Sequence, residues 1–130
     1  MLENKKICSR CIYDDQIPNI SFSSDGVCNY CHQIDFLKEE FGTGKKKGIT
    51  LLTNLINQIK KDGRSKKYDC VVGVSGGTDS SYLLMKAKEW GLRPLAVHYD
   101  NTWNTATASM NIAKITKYLD VDLCTYVVYN

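Results

Sequence analysis

From residue 68 onward this 130-residue chain alternates short apolar runs with stretches of helical period. Residues 68–75 (YDCVVGVS) form a β-branched run that reads as a buried strand. Residues 80–90 read as a helix closed by Gly91, and residues 94–99 (PLAVHY) as a second strand. Residues 105–119 read as a second helix, with Ile112, Ile115 and Leu119 on one face, and residues 122–129 (DLCTYVVY) as a third strand. Strands separated by helix-length segments cannot pair as hairpins. The pattern predicts an α/β fold built on a parallel sheet with right-handed crossovers.

Ahead of this alternation the chain changes character twice. Residues 36–67 form a basic bridge. In ITLLTNLINQIKK, Leu52, Leu55, Ile56 and Ile59 follow the i, i+3, i+4, i+7 pattern of one helix face, with Thr50 as the expected N-cap and Gly63 as the stop. Lys45, Lys46, Lys47, Lys60, Lys61, Arg64, Lys66 and Lys67 face only Asp62 between residues 45 and 67. Such a stripe is either a solvated helix face or a contact for phosphates or nucleic acid. Residues 68–130 carry 5 Lys/Arg against 6 Asp/Glu, so the excess of base lies ahead of the alternating segment.

Residues 1–35 lack regular periodicity and hold four of the six cysteines. Cys8 and Cys11, then Cys28 and Cys31, make two C-x-x-C pairs separated by sixteen residues. Each pair can fold back so that both thiolates face one ion, and two pairs complete a tetrahedron. Residues 20–22 alternate like a short strand, and Ser24, Asp25 and Gly26 are turn formers placed before the second pair. The segment is expected to be a structural zinc ribbon stabilised by its metal, with an iron or redox centre and free thiols as alternatives. His32 is either a substitute ligand or a bystander. Asp14 and Asp15 read as a solvated turn. Cys70 and Cys124, inside predicted strands, are expected to be small buried residues.

With 43% apolar and 24% charged residues the chain can bury a core. No stretch approaches the roughly 18 apolar residues of a membrane span, so no membrane partner is expected. The opening MLENKKICSR has no apolar core of a secretory signal. The expected compartment is the cytoplasm, where clustered cysteines serve as metal ligands or reduced thiols.

The second motif is Val74, Ser75, Gly76, Gly77, Thr78, Asp79, Ser80 and Ser81, at the junction of the first strand and first helix. Two adjacent glycines permit a tight turn and a close backbone approach, and the helix start directs free N–H groups into that turn. Ser75, Thr78 and Ser80 add hydroxyls. The result is a cradle for an anion, most naturally a phosphate chain, with Asp79 as a magnesium ligand or an N-cap. It is neither a Walker A loop nor a G-x-G-x-x-G fingerprint.

S-G-G-x-D-S after a first strand resembles the PP-loop of the ATP pyrophosphatases, enzymes of adenine-nucleotide α-hydrolase-like fold. The wider pattern, CSRCIYDDQIPNISFSSDGVCNYC, a lysine-rich helix, YDCVVGVSGGTDSSYLL and GLRPLAVHYDNTWN, resembles the N-acetyl sugar amidotransferases. This resemblance implies an incomplete PP-loop domain over residues 68–130 and a longer parent protein, since the family's enzymes and sheets are larger. It implies ATP, Mg2+ and Zn2+ as cofactors and an N-acetylated nucleotide sugar as substrate. Pseudaminic or legionaminic acid derivatives of flagellin and O-antigen sugars of lipopolysaccharide are examples of such sugars. AMP would be transferred to the acetamido oxygen, ammonia from a separate glutaminase subunit would attack carbon, and AMP would leave an acetamidino group.

Asp79 and Ser80 are then the expected catalytic positions. Val74, Ser75, Gly76, Gly77, Thr78, Asp79 and Ser80 would bind pyrophosphate and magnesium. Val97, His98, Tyr99 and Asp100, at the end of the second strand, would meet adenine, ribose, metal or substrate. His98 is either a base or a packed strand-end residue. Trp103 covers the nucleotide or caps the sheet. Two other readings are a PP-loop enzyme that thiolates tRNA, with the basic stripe on the RNA, and a non-catalytic module that binds zinc and nucleotide.

Overall fold

The computed structural model describes residues 5–128. It is a mixed α/β structure with the element order α1 (Asn29–Phe41), α2 (Lys46–Asp62), β1 (Cys70–Gly73), α3 (Thr78–Glu89), β2 (Pro94–Asp100), α4 (Ala106–Leu119) and β3 (Leu123–Val127). Its residues group into two compact units, Met1–Leu52 and Thr53–Asn130, divided within α2. Tyr129, the last residue of the expected third strand, lies outside the described residues, as do residues 1–4. No helix among the described residues is long and apolar enough to cross a membrane.

The second unit follows the predicted alternation. The three strands form one parallel sheet in the order β1-β2-β3, with Cys70 opposite Pro94, Gly73 opposite Val97, and Val97 opposite Cys124. Right-handed crossovers that always step in the same direction across a sheet put their helices on one side. Leu84 and Ala87 of α3 and Ile112 of α4 accordingly join Val72, Val74 and Ala96 in a single buried cluster, with Ile56 and Ile59 of α2 packed against it. The opposite face is open. Tyr99 and Tyr126 stack there at 6.1 Å, and Val71, opposite Leu95 further along the sheet, is exposed. Every residue of β3 is exposed, which corrects the expectation of a buried Cys124; Cys70 is only half-buried.

Helix boundaries follow the local chemistry. Thr105 caps α4 by accepting a 3.1 Å bond from the Ala108 N–H, a contact that stabilises a helix by about 1 kcal/mol. The helix after the glycine loop starts at Thr78 with Gly77 at its cap, two residues earlier than expected. Asp79 therefore sits in the first turn and is not the N-cap. Thr50 does not cap α2 either. That helix begins at Lys46, and the Thr50 hydroxyl donates to the Lys46 carbonyl at 3.1 Å inside it.

In the first unit, Gly26 N–H bonds the Ser23 carbonyl at 2.9 Å, making the expected turn before the second cysteine pair. The alternating stretch at 20–22 forms only the isolated antiparallel bridge of Phe22 with Cys28. The second pair then runs straight into α1, with Cys28 at its cap. This helix was not anticipated. It has no buried residue, although Tyr30, Ile34, Leu37 and Phe41 follow a helical period.

Candidate functional site

The four cysteines Cys8, Cys11, Cys28 and Cys31 converge, their sulfurs all within 4.8 Å of one another. Cys8 Sγ lies 4.0 Å from Cys31 Sγ, and Cys11 Sγ lies 3.7 Å from Cys28 Sγ. Tetrahedral zinc with bonds of about 2.3 Å has sulfur–sulfur edges of about 3.8 Å, whereas a disulfide needs about 2.05 Å. The spacing thus suits one metal ion, such as zinc, and not a pair of disulfides.

Three features stabilise thiolate charge there. Arg10 N–H and Cys28 N–H donate to Cys8 Sγ at 3.4 and 3.2 Å. Cys28 and Cys31 occupy the N-terminal end of α1, where the helix dipole favours negative charge. The Arg10 guanidinium, paired with Asp35, adds a nearby cation. Desolvation opposes ionisation of Cys8, yet the backbone donors bring its thiol down to about 6. Desolvation and the neighbouring sulfurs push Cys31 up to about 12. His32 is turned to Ser23, with its Nε2 3.1 Å from the hydroxyl oxygen, and stands outside the sulfur cluster.

In the second unit the glycine loop leaves β1 and feeds α3. Gly76 has φ +79, and a Cβ there would lie 2.3 Å from the Ala108 carbonyl oxygen, so the loop presses on the first turn of α4. Asn111 Nδ2 donates to the Gly76 carbonyl at 3.1 Å from the next turn. Inside the loop, Ser80 Oγ accepts from Ser75 N–H at 3.2 Å and donates to the Gly77 carbonyl at 3.3 Å. Ser81 Oγ also donates to Gly77, at 2.8 Å. The N–H groups of Gly77, Thr78, Asp79 and Ser80 have no acceptor among the described residues. Gly77 is open: a Cβ there would meet only Ser75 Oγ, at 3.5 Å. Beside it lies a cavity of about 700 Å3 lined by Gly76, Gly77, Thr78, Tyr82, Asn111 and Lys114, among others.

The end of β2 neighbours this loop through the β1–β2 pairing. Val74 N–H donates to the Val97 carbonyl at 2.9 Å. Asp100 Oδ1 accepts from Thr102 N–H at 2.8 Å and from Asn104 Nδ2 at 3.0 Å. Those two donors hold its carboxyl below the usual carboxylate range. His98 is buried, with both ring nitrogens against protein partners, while Tyr99 and Trp103 are exposed. Asn104, Asn111 and Lys114 were not anticipated from sequence. Their signal is positional only, a polar side chain in a loop or on a helix whose partner is distant in the chain.

No family model matches this chain. It is similar to an uncharacterised protein of Methanocaldococcus jannaschii, 33% identical over 118 residues. That match covers 89% of this chain and 40% of the relative, so the chain spans well under half of that protein's length.

Proposed function

We propose that residues 68–130 are the first part of a PP-loop ATP pyrophosphatase domain, and that the protein acts as an ATP-dependent amidotransferase on an N-acetylated nucleotide sugar. One observation carries this reading. The loop between β1 and α3 leaves the N–H groups of Gly77, Thr78, Asp79 and Ser80 without an acceptor among the described residues, and its unobstructed Gly77 lines a cavity. Such a constellation suits the phosphate chain of ATP held by Ser75, Gly76, Gly77, Thr78 and Ser80, with Asp79 toward Mg2+. Adenylation suits the substrate class. An acetamido carbonyl is a poor electrophile until its oxygen becomes a leaving group, and loss of AMP provides that exit. The cysteine-rich unit is read as a structural zinc centre, because four thiolates leave no open position for catalysis. A separate glutaminase would supply ammonia.

The test uses the full-length protein with its glutaminase, ATP, glutamine and an N-acetylated nucleotide sugar. Expected products are AMP and pyrophosphate, with the sugar lighter by the difference between oxygen and NH in mass spectrometry. ADP and phosphate as products would overturn the reading. AMP formed only with tRNA and a sulfur donor would replace it with tRNA thiolation.

A further inference from the structure

His98 is only 6% exposed, yet both of its ring nitrogens face polar atoms. Nδ1 lies 3.0 Å from the Val74 carbonyl oxygen, and Nε2 lies 3.2 Å from Asn104 Nδ2. A carbonyl only accepts, so Nδ1 carries the proton and donates it. Asn104 Nδ2 also donates to Asp100 Oδ1 at 3.0 Å. A carboxylate only accepts, so the amide nitrogen of Asn104, and not its oxygen, faces Asp100. Its second hydrogen points at His98 Nε2, which must present a bare lone pair. The two acceptor-only ends admit one protonation pattern: neutral imidazole with its hydrogen on Nδ1. A second proton on Nε2 would face an amide donor. Turning the amide over to receive that proton would set its oxygen against the Asp100 carboxylate.

The ends of this relay are the two pieces of the candidate site. Val74 immediately precedes Ser75 and the glycine loop, and Asp100 closes β2. We propose that His98 is a positioning residue, which as the neutral Nδ1–H tautomer fixes the spacing between the glycine loop and the turn carrying Asp100. The role rests on the phosphate-cradle reading of the loop. On this reading the histidine acts through its two hydrogen bonds and not by contact with the phosphate chain. Its two hydrogen bonds set where the loop begins and, through Asn104, which oxygen of Asp100 is left to face outward: Oδ1 is taken twice, by Thr102 and Asn104.

Asn104→Asp is the decisive variant, since it keeps shape and reverses hydrogen-bond polarity. Its carboxylate repels Asp100 and draws a proton to His98 Nε2. Nitrogen-15 NMR of the His98 ring at pH 8 should show the hydrogen on Nδ1 alone in the wild type and a hydrogen on both ring nitrogens in Asn104→Asp, because the Val74 carbonyl still faces Nδ1. Calorimetric titration with magnesium pyrophosphate should show affinity falling about tenfold in Asn104→Asp and in Asn104→Ala, the weight of one well-placed hydrogen bond. Circular dichroism and zinc content should stay unchanged, because Asn104 is half-buried and distant in sequence from the cysteines. Equal pyrophosphate affinity in wild type and Asn104→Asp would overturn the positioning role and leave the cradle standing. A hydrogen on Nε2 in the wild type would overturn the relay itself. A wild type that binds no pyrophosphate, with His98 still Nδ1–H, would overturn the cradle and with it the role given to His98.

Discussion

The two glycines of the loop are expected to fail differently when each is changed to alanine. At position 76 the backbone sits at φ +79, and the new methyl carbon would lie 2.3 Å from the Ala108 carbonyl oxygen and 2.7 Å from its Cα. The left-handed region costs a residue with a side chain about 1–2 kcal/mol. Forcing a methyl into filled space costs about 1–3 kcal/mol more, and here the obstacle is backbone that cannot rotate away. Gly76→Ala should therefore lose about 2–5 kcal/mol, which lowers the melting midpoint of a unit this size by about 10 °C or more. At position 77 the backbone has φ −84, ordinary for any residue, and the nearest atom to a new Cβ is Ser75 Oγ at 3.5 Å. Gly77→Ala should stay within about 1 kcal/mol of wild type. Its methyl enters the space where phosphate oxygens must come within about 2.7–2.9 Å of the N–H groups. Magnesium pyrophosphate should consequently bind Gly77→Ala at least about tenfold more weakly, while the melting curve hardly moves. The assay is thermal denaturation by circular dichroism paired with calorimetric titration. Undiminished binding by Gly77→Ala would refute the cradle, and a wild-type midpoint in Gly76→Ala would refute the close approach to α4.

Two further outcomes follow from the same geometry. Protein purified without added metal should carry about one zinc per chain, and Cys28→Ser should release it; metal-free protein with a disulfide under reducing conditions would refute the four-sulfur centre. Arg93 Nη2 donates to the Gly63 carbonyl at 2.7 Å, and its Nε approaches Asp69, whose side chain is only 2% exposed. Arg93→Met removes the half-exposed guanidinium but leaves Asp69 Oδ1 its 2.8 Å bond from the Arg93 N–H, and should cost about 1 kcal/mol in urea unfolding; no measurable loss would refute the pairing.

The parts of this molecule that could be read from the chain are those with a strong local pattern. The three strands and the two crossover helices announce themselves through β-branched runs, helical period and turn residues, and the four cysteines through their spacing. Thr50 misled because Lys46, Lys47 and Gly48 carry no apolar period, although lysine forms helix readily. Helix α1 has a legible signal in Tyr30, Ile34, Leu37 and Phe41, at i, i+4, i+7 and i+11, but it overlaps the second cysteine pair, whose spacing reads as a metal knuckle; Ile34, Phe36 and Phe41 are all exposed. Cys124 reads as an inside residue because an apolar strand usually has both faces covered, and here every residue of β3 is exposed within the second unit. Asn104 and Asn111 escaped for a different reason. Their hydrogen bonds to Asp100 and Gly76 depend on where a turn and a helix end up in space, and no composition rule ties an asparagine to a carbonyl 35 residues earlier.

The contact of Gly76 with Ala108 also bears on how such a sequence can drift. The atoms that a side chain at 76 would strike are the carbonyl oxygen, Cα and carbonyl carbon of residue 108, which every amino acid possesses. No replacement at 108 can make room, so the two positions cannot exchange compensating substitutions, and glycine at 76 is demanded by the chain path alone. Position 77 answers to whatever occupies the space in front of it. In a descendant that had abandoned its ligand, residue 77 would be released to vary while residue 76 stayed glycine, so the pair would record separately whether the fold and the binding had survived.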